Sequence, residues 1–279
     1  MPQLSSKLLS WATAGLFIGY AWIGVFFDFP FREVLWNEAL ISPLLSVFQI
    51  DWTWWVSAEG INAYLPGLQM FLSLLLVLGF IGVVWSKLPG RRIWISTSAI
   101  LVLLILLLGW PGHNHTFGYL LEIALRGGTP FLWLAHRGGK RSGKLYTIAK
   151  WLIAATFIGH GLYALNFYPR PGSFVNWTSA GLGLSESASI QVLNAVGILD
   201  LVAAALLLLP KPSWSLPVAM IWLIPWGFLT TTARLWSNSA YEEWTYLFLR
   251  WTPEVLIRLP HVLVVIAVYL AWKSLRQRI

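Results

Sequence analysis

The sequence predicts an all-α polytopic membrane protein: eight transmembrane helices arranged as two parallel four-helix bundles. Three observations predict it. Soluble domains carry roughly 25% charged residues, whereas this 279-residue chain carries 11% and is 57% hydrophobic, with a mean hydropathy of +0.68. Apolar runs near the length needed to cross a bilayer recur along the chain. Short patterns of the first half return in the second. Together these exclude a soluble globule, a disordered chain and a secreted disulfide domain.

The apolar runs fall near 8–27, 65–86, 93–110, 116–135, 148–168, 189–209, 214–233 and 251–272. The first, Leu8 to Phe27, lacks a small-residue cleavage site and is expected to stay as a span. The fourth and eighth each contain a Glu and an Arg. Orientation follows from the cations. Lys7, Lys87, Arg91, Arg92, Arg137, Lys140, Arg141, Lys144, Lys150, Lys211, Lys273, Arg276 and Arg278 make thirteen of the 19 basic residues, all at one side, where no acid lies. Asp28, Glu33, Glu38, Asp51, Glu59, Glu186, Glu242 and Glu243 occupy the opposite loops. Basic loops stay cytoplasmic, so both termini are expected inside, with the chain in a bacterial inner (plasma) membrane. The net charge of +8 thus reflects insertion into a lipid bilayer. Nucleic acid is not an expected partner, because short loops offer no folded basic surface.

Tryptophan placement supports the span limits. Trp85, Trp94, Trp133, Trp151, Trp214 and Trp272 lie near expected inner ends, and Trp110, Trp236 and Trp251 near outer ends. An indole favours the interface because its ring is apolar and its N–H is wet. Trp36, Trp52, Trp54, Trp55, Trp177 and Trp244 fall instead in outward loops. The segment Leu35–Phe48 reads as a helix lying on, or re-entering, the outer leaflet.

Phe17-Ile18-Gly19-Tyr20 in span one returns as Phe157-Ile158-Gly159-His160 in span five. Glu122-Ile123-Ala124-Leu125-Arg126 in span four returns as Glu254-Val255-Leu256-Ile257-Arg258 in span eight, with Pro130 and Pro260 following. Nearly equal offsets in corresponding spans indicate a duplication. The expected units are 1–140 and 141–279, joined through the basic, glycine-bearing stretch His136–Lys144. An even number of spans per unit makes them parallel, related by an axis along the membrane normal.

The absence of cysteine removes disulfides, thiol nucleophiles and iron–sulfur ligation. No P-loop, GxSxG or HExxH pattern is present, and no catalytic activity of its own is expected. Ionisable groups inside a membrane are the functional candidates, because lipid exposure costs several kcal/mol. Here they are Glu122, Arg126, His160, Asp200, Glu254, Arg258 and His261. Glu122/Arg126 and Glu254/Arg258 have the i,i+4 spacing and order of intrahelical ion pairs, and act as supports. A rise of 1.5 Å per residue puts Asp200 and His261 roughly 15 Å, His160 roughly 12 Å and Arg258 roughly 10 Å from the outer ends of their spans. His160, Asp200, Arg258 and His261 are therefore expected to line one ligand cavity. Arg258 would anchor an anion or carbonyl, and His160 with Asp200 would form a hydrogen-bonding or proton-relay pair. The residues leave the cofactor unidentified: a His beside a carboxylate can hydrogen-bond a quinone oxygen, and His160 with His261 raises, below that, a bis-histidine haem b. His113 and His115 supply two ligands only, which do not make a metal site.

The second half resembles a known family. Phe157-Ile158-Gly159-His160-Gly161-Leu162 opens a four-helix unit. A Pro/Gly-bearing outer loop follows at Pro169 to Leu184, then Gly197-Ile198-Leu199-Asp200 and the stretch Trp226 to Arg234 with Thr230-Thr231-Thr232-Ala233-Arg234. Glu254 and Arg258 begin the last helix. This order is similar to the DoxX-like membrane proteins, four-helix bundles that include thiosulfate:quinone oxidoreductase subunits. The first half resembles a diverged copy that keeps Phe17-Ile18-Gly19 and Glu122 to Pro130. The resemblance implies a noncatalytic subunit that binds a quinone or lipid-like ligand beside other subunits of a membrane redox complex. A doubled unit departs from the single-bundle redox subunits and leaves two alternatives: a small-solute or lipid transporter, and a structural subunit of a larger membrane assembly.

Overall fold

The computed structural model describes residues 4–139, 142–210 and 213–277. Lys140, Arg141, Lys211 and Arg278, four of the cations that set the expected orientation, lie outside them, as does the middle of the expected linker. The helices are α1 (Ser6–Phe26), α2 (Arg32–Leu35), α3 (Glu38–Val47), α4 (Trp52–Trp55), α5 (Leu65–Val84), α6 (Arg91–Leu108), α7 (Phe117–Arg137), α8 (Ser142–Ala164), α9 (Gly172–Leu182), α10 (Glu186–Leu208), α11 (Ser215–Asn238), α12 (Trp244–Leu256) and α13 (Pro260–Arg276). There is no strand among the described residues. Lipid explains this: a helix satisfies its own backbone groups where water cannot.

Seven helical segments among the described residues are long and apolar enough to cross a membrane: α1, α5, α6, α8, α10, α11 and α12–α13 taken together. The helix ends depart from the expected limits where polar caps allow. Ser185 accepts from Ala188 N at 3.3 Å and starts α10 three residues before the expected 189. The last span is not one helix over 251–272. It begins as α12, breaks at Ile257–Leu259 and resumes with Pro260 at the first turn of α13, where a missing N–H costs nothing.

α1 packs on α5, α6, α7, α12 and α13, while α8 packs on α7, α10 and α13. Small residues permit the close crossings, as is usual where lipid leaves helices no solvent-driven attraction. A Cβ on Gly159 of α8 would lie 2.6 Å from Glu122 N and 2.9 Å from Gly118 O of α7. A Cβ on Gly19 of α1 would lie 2.7 Å from Ile257 Cγ2 and 3.1 Å from Pro253 O at the end of α12. Trp133, expected near an inner span end, is buried within the protein. Its Nε1 donates to Ser10 Oγ at 2.7 Å, and its ring lies near the guanidiniums of Arg91 and Arg137, at 5.4 and 5.8 Å.

The expected surface helix Leu35–Phe48 is α3, shortened to Glu38–Val47: α2 ends at Leu35, and Asn37 caps α3 by accepting from Leu40 N at 3.3 Å. Ile41 and Leu45 of α3 turn inward while Leu40, Leu44, Val47 and Phe48 are exposed. Pro169 to Leu184, expected as a loop, contains α9. That helix packs on α10 and α11.

Candidate functional site

A cavity of about 220 Å³ opens beneath α9. All four expected ligand-binding residues line it: His160 of α8, Asp200 of α10, Arg258 in the α12–α13 break and His261 of α13. Glu122 of α7 lines it as well. Trp177 and Leu182 of α9 cover it, and Trp226, Leu229, Ala233 and Arg234 of α11 form one wall. The rim residues Leu182, Leu229 and Trp236 are apolar and exposed. At 1.5 Å per residue Asp200 lies about 21 Å from the start of α10, but His160 only about 6 Å from the end of α8. Those helix ends differ in reach: α8 and α10 cross at Gly161 and Gly197, where a Cβ on Gly161 would lie 2.9 Å from Gly197 O, so His160 and Asp200 sit within about one helical turn of the same level.

The charged part of the site is a three-residue bridge. Glu254 takes Arg258 Nη1 in a short contact and lies 3.4 Å from Arg234 Nε. The side chains of Arg234 and Arg258 are only 13% and 12% exposed. Glu254 holds Arg258 as expected, since the i,i+4 spacing brings the two to one helix face. Arg234 was not among the expected site residues. The apolar run was expected to end at residue 233, whereas α11 continues to Asn238 and carries Arg234 inside by a turn. Its guanidinium carbon stands 4.0 Å from the centroid of Trp177, which explains one of the outward-loop tryptophans. Trp177 meets Trp251 edge-on at 6.3 Å, and Trp251 Nε1 donates to Glu242 at 2.9 Å. Thus α9 is fastened to the cavity through the same arginine.

The expected His160–Asp200 pair is not formed: no hydrogen bond joins them among the described residues. Asp200, 1% exposed, accepts instead from Trp222 Nε1 at 2.7 Å; Trp222 stacks on Trp226 at 5.3 Å. His160 faces His261, with ring centroids 5.6 Å apart. His261 also serves the helix break. The Arg258 carbonyl takes the His261 backbone N–H at 2.9 Å, lies 3.1 Å from His261 Nδ1 and accepts from Thr231 Oγ1 at 3.2 Å. A freed carbonyl inside a membrane protein needs such partners. Glu122 and Arg126 form the second expected pair, at 3.8 Å, and among the described residues Arg126 Nε has no hydrogen-bond partner. Among the described residues no three His, Asp or Glu side chains are placed to hold a metal ion.

No family model, curated protein or solved structure matches the chain. The chemistry of the site is therefore read from its own geometry. A cavity of about 220 Å³ is below the roughly 300–1,000 Å³ of pockets that enclose a whole drug-sized ligand. It suits a polar head or ring whose chain leaves between apolar rim residues. The guanidiniums, His160 and His261 could hydrogen-bond such a head, and Trp177 and Trp226 could stack on a ring. These residues fit the head of a quinone, which would supply reversible two-electron chemistry when bound.

Proposed function

We propose that the protein is a noncatalytic membrane binding subunit that holds a quinone- or lipid-like amphiphile in the cavity beneath α9. We further propose that it crosses a bacterial inner membrane eight times, with both termini cytoplasmic, as two parallel DoxX-like units, 1–140 and 141–279. The reciprocal glycine crossings support the duplication. Gly19 of the first half packs on α12 of the second, and Gly159 of the second packs on α7 of the first. In this reading α7 is the fourth span and brings the count to eight. It has 21 residues, and its Arg126 is buried, so its low hydropathy does not entail exposure of charge to lipid. A reporter fused after Ile279 should be active only in the cytoplasm; activity outside overturns the orientation.

One observation carries the functional reading: the cavity joins a buried, charged bridge to an exposed apolar rim. A water-soluble solute would need a polar mouth. Leu182, Leu229 and Trp236 give one that matches acyl chains, so the ligand enters from the bilayer. Association with a redox complex rests on the family resemblance alone. Organic extraction of the protein purified from native membrane, followed by mass spectrometry, tests the binding. One amphiphile should be enriched over the bulk lipid, and Ala233→Phe, which fills the cavity wall, should lose it. Equal extracts from both proteins would overturn the assignment.

A further inference from the structure

Two arginines share one carboxylate at the head of the cavity, and the consequence is a charge left over. Arg234 and Arg258 both reach Glu254. Glu122, the other lining acid near them, is engaged with Arg126. Asp200 lines the same cavity but forms no ion pair among the described residues and accepts from an indole, so no second carboxylate is seated on the two guanidiniums. A net positive charge in a poorly hydrated site is costly unless an anion joins it.

The donors are also open. Arg234 reaches Glu254 through Nε, and its side chain makes no hydrogen bond among the described residues. Arg258 spends Nη1 on Glu254. The Nη groups of Arg234 and the remaining nitrogens of Arg258 are left for a ligand. A guanidinium fork matches the two oxygens of a carboxylate or phosphate. Beyond the fork the walls are Trp177, Trp226, Leu229 and Leu182, which suit a hydrocarbon chain.

We propose that the cavity selects an anionic amphiphile: one carboxylate or phosphate head held by Arg234 and Arg258, with its chain passing the apolar rim into the outer leaflet. This rests on reading the cavity as a ligand site and narrows it, because a quinone head is neutral. Since Arg234 also carries Trp177, an arriving head would compete with the contact that fastens α9.

The test uses the full chain in nanodiscs of zwitterionic lipid and follows tryptophan quenching by terminally brominated palmitate and by the matching brominated alcohol. The carboxylate should bind saturably, at least about tenfold tighter than the alcohol, as expected for a charge-assisted fork. Arg234→Gln should abolish the preference for acid over alcohol, read as the ratio of the two affinities in the same variant; Arg234→Lys should keep part of it. Arg234→Gln leaves Glu254 and Arg258 as a balanced pair, so this variant is expected to fold. Acetate, which carries the charge without the chain, should not displace the palmitate at equal concentration. Displacement by acetate would make this a small-anion site and overturn the proposal. Equal binding of acid and alcohol, or a preference insensitive to Arg234→Gln, overturns the anionic head but leaves an amphiphile cavity standing. Saturable quenching by neither probe overturns both.

Discussion

Glu254→Gln is the substitution whose cost follows most directly from the structure. It removes the carboxylate that both Arg234 and Arg258 touch, while the two guanidiniums are about seven-eighths buried. Removing one partner of a buried ion pair costs about 3–5 kcal/mol, because the other charge stays behind without compensation. Glutamine keeps the volume and an acceptor oxygen for Arg258, and the cavity mouth admits solvent, so the lower end of that range, about 3 kcal/mol, applies. In chains of 150–250 residues each kcal/mol shifts Tm by about 2–4 °C, which gives a fall of roughly 6–12 °C here. The assay is a thermal ramp of the detergent-purified protein read by size-exclusion fluorescence. Adding Arg234→Gln to Glu254→Gln should restore part of the loss, since neighbouring charges are not additive. A fall below about 2 °C, under 1 kcal/mol on the same scale, would refute a buried bridge.

Gly159→Ala should loosen the α7–α8 crossing by about 1–3 kcal/mol, the usual cost of overpacking, because its Cβ meets the α7 backbone. Gly67→Ala, with open space around it, should be neutral or stabilising in the same thermal ramp. Trp222→Phe removes the indole donor from buried Asp200; the unsatisfied carboxyl should cost about 1–3 kcal/mol, and Asp200→Asn, which keeps an acceptor, should cost less. In the loop after α6, His113 is exposed at the surface, but its ring is partly desolvated by stacking on Tyr119 at 4.2 Å, which holds the imidazole below its usual range against weaker opposing pulls from Glu122 and Glu33. The neutral form is thus the folded form. Its stabilisation is full above the unfolded value of about 6.5 and fades as pH falls through it. Amide exchange in residues 110–116, corrected for intrinsic rates, should quicken below that pH; His113→Gln should remove the trend, and a pH-independent parent would contradict it.

Long apolar runs made most of the spans legible, since the bilayer imposes one length and one backbone solution. The i,i+4 ion pairs were legible for the same local reason. The features missed are those fixed by contacts distant in sequence. Trp133 reads as a belt residue, but that its N–H goes to Ser10, far along the chain, is set by packing. Asp200 pairs with Trp222 and not His160, because the rotational phase of α10 against α11 is set by packing. Arg234 was hidden by a span limit drawn at residue 233, since a polar Thr-Thr-Thr stretch resembles a helix end. The Pro/Gly content of Pro169–Leu184 suggested a loop, but Pro171 precedes the first turn of α9 and Gly183, in the left-handed region, ends it. Those are the positions helices assign to these residues.

The central claim is that the cavity beneath α9 holds an amphiphile with its head at Arg234 and Arg258. A cryo-electron microscopy map of the full chain, purified in nanodiscs of native lipid, tests it most directly. The account predicts an elongated non-protein density that starts beside the two guanidiniums, passes Trp177 and Trp226, and leaves between Leu182 and Leu229. A cavity closed by its own side chains, or density confined to the outside of the rim, would contradict it.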